Sequence, residues 1–275
     1  MRILSMFVLT ALLGASAILH GQTRDDNWNR CMGNDQDLRI AGCTALIQSG
    51  QESDENLSHM LFNRGVAYDN KGEHDSAIQD FDQALRLNPS KVIIFNNRGN
   101  AYINKGEYDR AIQDYDQALR LNPSYDHAFN NRGVAFRRKG EYDRAIQDYD
   151  QAIRLNPSYE DAFSNRCFAR AIVGQLQPAL ADCNQSLTSR PNNASTLDSR
   201  GFVYLKMKNR DAAIADYNAA LAINPKLPSS LYGRGLAEQM KGNQAAATND
   251  IAAAKAIQPD IADQFAKWGV PAPKP

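Results

Sequence analysis

A shift of 34 residues brings Asn63-Arg64-Gly65-Val66-Ala67-Tyr68 onto Asn97-Arg98-Gly99-Asn100-Ala101-Tyr102 and then onto Asn131-Arg132-Gly133-Val134-Ala135-Phe136, without gaps. The register runs on to residue 259. Four columns keep one residue type in all six copies: Arg64 to Arg234, Ala77 to Ala247, Asp80 to Asp250 and Pro89 to Pro259. A fixed period of this length means a stack of similar units, each covering its neighbour, rather than one closed core. Within a unit, apolar and small residues recur twice at helical spacing, as in Ala101 and Tyr102 and then Ala111, Ile112, Tyr115, Ala118 and Leu119. Each unit therefore reads as a helix hairpin. Gly106 is placed to end the first helix in a left-handed turn, Glu107 and Asp109 put negative charge at the start of the second, and Asn122-Pro123-Ser124 is expected to end it and cap the next. Gly99 and Ala111 are small where the two helices must approach closely. Tyr115 and Leu119 fill the space beside them.

Gly65, Tyr68, Gly72, Ala77, Phe81, Ala84 and Pro89, repeated in later units, carry a resemblance to the tetratricopeptide repeat family over residues 58–259. The resemblance implies an all-α fold, an α-solenoid in which antiparallel helix hairpins wind into a right-handed superhelix with the first helix of each hairpin lining the concave face. Cys167 departs from it in place of glycine, Arg170 and Glu238 in place of the first-helix aromatic, and Lys208 in place of the turn glycine. The expected division is a degenerate N-terminal repeat or cap over 22–57, then six units at 58–91, 92–125, 126–159, 160–193, 194–227 and 228–259. A capping helix at 260–269 and an unpacked, proline-rich tail at 270–275 follow, so both tryptophans, Trp28 and Trp268, fall in the caps.

Residues 1–21 read as a cleaved export signal: Arg2 precedes an uncharged apolar run from Ile3 to Leu19, with small Gly14, Ala15 and Ala17 near its end. The competing reading is an uncleaved anchor, since such a run reaches the lower limit for a spanning helix. Cleavage implies a periplasmic or secreted protein with no membrane insertion afterwards, and an oxidising compartment for its 4 cysteines. Cys167 takes the close-approach position of a first helix and Cys183 the large-residue position of the facing second helix. Cys31 and Cys43 repeat that arrangement in the shortened unit, so two disulfides within hairpins are expected.

The Arg and Asp columns, represented by Arg98 with Asp114 and Arg132 with Asp148, are expected to form structural ion pairs that fix helix register. The alternative is a row of arginines lining an anion-binding groove. Asn63, Asn97, Asn131 and Asn165 fall on successive first helices and resemble an asparagine ladder, whose amides could meet the alternating donors and acceptors of an extended peptide. Four such positions, separated by three steps of ~10 Å, span ~30 Å, or about nine extended residues. Asn96, Asn130 and Asn100 extend the polar strip, followed by Arg137 and then Phe168 and Phe202 toward a more apolar end. The alternative is that these amides serve contacts between helices. The lysine-and-asparagine clamp by which chaperone-docking members of the family hold a terminal carboxylate is not reproduced, since Asn96, Asn130 and Ser164 stand where a lysine is needed.

Other chemistry finds little footing. Lys+Arg and Asp+Glu are both 31, so there is no basic excess for nucleic acid. His59, His74 and His127 lack the spacing of a metal site on a helix, no glycine-rich phosphate loop follows a strand, and no Cys-x-x-Cys occurs. No catalytic residue, metal or cofactor is therefore expected. Asn56, Asn184 and Asn193 begin Asn-x-Ser/Thr sequences, which are frequent by chance in an asparagine-rich chain. The reading is a non-catalytic scaffold that binds a protein or peptide in its groove. A regulatory or assembly subunit of a periplasmic enzyme complex is the second reading. A hydrolase like the cysteine-rich Sel1-like repeat proteins fits the 34-residue period less well.

Overall fold

A computed structural model describes residues 23–271. The described residues form fifteen helices and no strand: α1 (Arg24–Met32), α2 (Gln36–Ser49), α3 (Asp54–Asn70), α4 (His74–Leu87), α5 (Val92–Lys105), α6 (Tyr108–Leu121), α7 (Asp126–Arg138), α8 (Tyr142–Leu155), α9 (Glu160–Ile172), α10 (Leu176–Ser189), α11 (Ala194–Lys206), α12 (Arg210–Ile223), α13 (Pro228–Lys241), α14 (Gln244–Ile257) and α15 (Ile261–Lys267). Consecutive helices pack pairwise from α1·α2 to α13·α14, and each pair packs on the next, so the chain is an all-α solenoid. The expected signal segment at 1–21 lies outside the described residues.

The column residues explain the hairpin. A Cβ placed on Gly65, Gly99, Gly133 or Gly201 would come within 2.8 Å of the ring of Phe81, Tyr115, Tyr149 or Tyr217 respectively. Glycine thus lets the second-helix aromatic lie flat against the first-helix backbone, and all four rings are fully buried. First helices end in left-handed residues, glycine at Gly72, Gly106, Gly140, Gly174 and Gly242, but lysine at Lys208, with φ of 60°. In the two hairpins that carry cysteine, a disulfide joins Cys167 to Cys183 and Cys31 to Cys43.

Three expectations need correction at the ends of elements. α3 starts at Asp54 rather than 58, because Ser53 caps it by accepting the Asn56 N–H at 3.3 Å. Asn122-Pro123-Ser124 does not cap α7: the Asn122 carboxamide oxygen accepts from the Ser124 N–H and hydroxyl, and Tyr125 takes the cap position without a side-chain bond. Val270, expected in an unpacked tail, packs against the C-terminal apolar cluster, and its N–H donates to the Phe265 carbonyl.

α15 does not simply extend the stack. Phe265 packs on Tyr232 of α13 and Phe202 of α11, with ring centroids 4.8 and 5.7 Å apart. Trp268 reaches Phe202 and then Phe168 of α9, two units back, at 5.8 and 5.1 Å. The Lys206 ammonium ties this segment down by donating to the carbonyls of Trp268 and Ile172.

Candidate functional site

Every odd-numbered helix from α1 to α13 touches the next odd-numbered one, whereas no two even-numbered helices meet. The first helices therefore crowd the inside of a curve, and their exposed faces line its groove.

The column arginines do not open into that groove as free cations. Arg98 donates from Nε and Nη2 to both oxygens of Asp114 at 2.8 and 2.6 Å, and from Nη1 to Asp82 of the preceding unit at 2.6 Å. Arg132 repeats this with Asp148 and Asp116, and Arg166 with Asp182 and Asp150. Burial works against the charge on Arg98 and Arg132, but the carboxylates outweigh it and hold both guanidiniums above their ordinary pKa. Each fork locks one hairpin and bonds it to its neighbour.

The asparagines behave differently from a uniform ladder. Asn96 and Asn130 are buried, so they leave the groove surface. The Asn96 oxygen accepts from Asn131 at 3.1 Å, and the Asn130 oxygen from Asn165 at 3.0 Å, stitching adjacent first helices together. Asn131 also accepts from Asn130, so both its functions are spent inside the fold. The Asn97 amide donates to the Ile93 carbonyl of its own helix, and Asn100 accepts from the buried Tyr115 hydroxyl at 2.7 Å. Asn63 sits against Met32. Phe202 is a further correction: it is 2% exposed, because α15 covers it.

Two clefts on the inner face flank a third, of about 240 Å³, lined by Asn100, Ile103, Asn104, Asn131 and Val134. The first, of about 250 Å³, is lined by Trp28, Met32, His59, Phe62, Asn63 and Ile93. Met32 and Ile93 are 40% and 42% exposed there, so the N-terminal end of the groove is its apolar end, opposite to the expected order. The second, of about 390 Å³, lies between Arg137, Arg138, Asn165, Phe168, Asp198 and Trp268. The Arg137 guanidinium stands over the Phe168 ring, 5.6 Å from its centroid. Asp198 accepts from the Ser229 and Ser230 hydroxyls at 2.8 and 2.5 Å, and burial raises its carboxyl to about 6.

Trp28, Met32, Ile93, Asp198 and Trp268 were not singled out as groove residues from the sequence. The repeat register held part of the signal: Ile93 falls in the His59 column, and Asp198 in the column of Asn96, Asn130 and Ser164.

Comparison with known proteins addresses the fold. No curated protein sequence matches the chain. A solved tetratricopeptide repeat protein from Parabacteroides merdae ATCC 43184 is 19% identical, covers 89% of this chain and 96% of its own, and superposes with a TM-score of 0.70. PilW, a widely conserved type IV pilus biogenesis factor, is 20% identical over 74% of this chain and 94% of its own, at 0.66. YrrB, a TPR protein with an unusual peptide-binding site, is 24% identical over 68% of this chain and 97% of its own, at 0.50. Tetratricopeptide repeat family models match residues 60–91, 96–160 and 194–227, the stretches where glycine meets aromatic ring and arginine meets aspartate in each hairpin, and the chain belongs to the tetratricopeptide repeat family.

Proposed function

We propose that this protein is a non-catalytic interaction scaffold that holds an extended segment or helix of a partner protein in its inner groove. The observation that carries the reading is the pair of clefts on one face. An apolar cleft with exposed Met32 and Ile93 and a polar, cationic cleft at Arg137 and Arg138 stand at separate points of the groove, built from first helices and, in the second, completed by the C-terminal segment at Trp268. Apolar anchors flanked by hydrogen-bonding groups are what a peptide-holding surface needs. The reported peptide-binding site of the similar YrrB is consistent with this use of the fold. Of the asparagine ladder, the reading retains Asn63, Asn97 and Asn165, which stay partly exposed.

A photo-crosslinking residue at Asn97 or Asn165 should attach to one segment of one partner, whereas the same residue at Gln147 on the outer face should not. Labelling at Gln147 with equal yield and the same product would defeat the groove assignment.

The protein is further proposed to act outside the cytoplasm. Both disulfides staple hairpins, and no free cysteine occurs among the described residues, which suits an oxidising compartment. Alkylation mass spectrometry on protein from its native host checks this, and four free thiols would contradict it.

A further inference from the structure

We infer that the cleft at Arg137 and Arg138 is a subsite for acidic side chains, so that the segment held in the groove carries adjacent or near-adjacent Asp or Glu residues. The inference rests on the groove reading and adds to it the chemistry of the occupant.

Its basis is the difference between these two arginines and the column arginines and turn lysines of the same first helices. Arg64, Arg98, Arg132, Arg166, Arg200 and Arg234 each fork onto an aspartate of their own hairpin. Lys71, Lys105, Lys139 and Lys241 each pair with an aspartate of the preceding hairpin. The Arg137 and Arg138 side chains make no ion pair among the described residues; the Arg137 guanidinium lies beside the buried Tyr149 hydroxyl, and its Nε is shielded from water without an acceptor. The guanidinium groups that line the cleft are stabilised by any carboxylate that reaches them.

Lys206, two units on, is bonded only to the carbonyls of Ile172 and Trp268, and burial lowers its pKa. Asp198 is the one carboxylate lining the cleft, and its oxygens already accept from two serine hydroxyls. The local balance is thus cationic in a chain whose formal charge is zero. That overall neutrality argues against a polyphosphate backbone as the occupant.

The arrangement also favours side chains over a chain terminus. Consecutive residues on a helix point about 100° apart, so Arg137 and Arg138 do not converge on one carboxylate. They suit two. The Phe168 ring, 5.6 Å from the Arg137 guanidinium, helps to hold it at the cleft.

The test uses acetylated, amidated nonapeptide pools with a central Glu-x-Glu in randomised surroundings, against matched Gln-x-Gln pools, measured by fluorescence anisotropy on the full chain. The Glu pool should bind at least tenfold more tightly than the Gln pool. Arg137→Gln/Arg138→Gln should remove that difference, and Arg138→Glu, at an exposed position where folding is not at stake, should weaken Glu-pool binding at least tenfold. Equal binding of both pools to the wild type would overturn the acidic subsite while keeping the groove reading. Equal Glu-pool affinity in the variants would do the same. Failure of both pools to bind would remove both proposals, and a Gln pool remade with a free C-terminal carboxylate that bound as tightly as the amidated Glu pool would reassign the subsite to a chain terminus.

Discussion

Asp198 is a carboxylate held by two hydroxyls and no cation, and this makes it the clearest pH-sensitive residue in the groove. Burial raises its folded-state pKa to about 6, above the unfolded value near ~3.9. A raised acid favours the protonated folded state. Its contribution is complete below the unfolded pKa and is lost as pH rises through 6, by about 2 kcal/mol after allowing for partial exposure. The urea midpoint of the wild type should therefore fall between about pH 4 and pH 7 relative to Asp198→Asn, and parallel curves would refute the assignment. A second residue departs from its column: Lys208 occupies the left-handed position that glycine fills in five other units. Replacing Lys208 by Gly should raise stability by roughly 0.5–1 kcal/mol, read from thermal midpoints, because the side chain's steric penalty exceeds the entropy that glycine loses. Residue roles were legible in the sequence where type and register left one geometry, as for Arg98 with Asp114. They were not legible for Asn96 and Asn130. An amide is equally at home in water or between helices, so its residue type does not reveal its burial.

Two hairpins replace glycine against aromatic with a covalent bond. Cys167 and Cys183 occupy the columns of Gly133 and Tyr149, so the disulfide stands where ring packing holds four other hairpins together. Breaking it leaves neither contact. Cys167→Ala/Cys183→Ala should lose about 2–4 kcal/mol. Cys167→Gly/Cys183→Tyr should recover most of that loss and make the unit insensitive to reductant, as measured by denaturant midpoints with and without dithiothreitol. Equal midpoints for the two double variants would show that the aromatic cannot be accommodated there. The hairpins could be read from the sequence because their pattern recurs six times. The path of α15 could not. A single seven-residue amphipathic segment says that Ile261 and Phe265 are buried, not whether they meet the end of the stack or turn into the groove, since both surfaces are apolar. Phe202 and Phe168 look like open hot spots until that turn is known.

At the scale of the molecule, coupling runs from each unit to the next through identical parts. Arg132 reaches back to Asp116 as Arg166 reaches back to Asp150, and Asn165 reaches back to Asn130 as Asn131 does to Asn96. The junctions before α7 and α9 are both Leu-Asn-Pro-Ser-Tyr, at 121–125 and 155–159. Deleting residues 126–159 therefore joins like to like: Arg166 would find Asp116, and Asn165 would find Asn96, with no new geometry required. A stack held only by neighbouring contacts should tolerate this. The shortened chain should remain helical by circular dichroism, keep both disulfides and unfold cooperatively with a smaller denaturant slope, in proportion to the surface removed. It should also lose the preference for Glu-x-Glu peptides, because Arg137 and Arg138 leave with the unit. Aggregation or loss of a cooperative transition would mean that contacts across more than one unit, such as Trp268 on Phe168, govern the whole assembly rather than its C-terminal end.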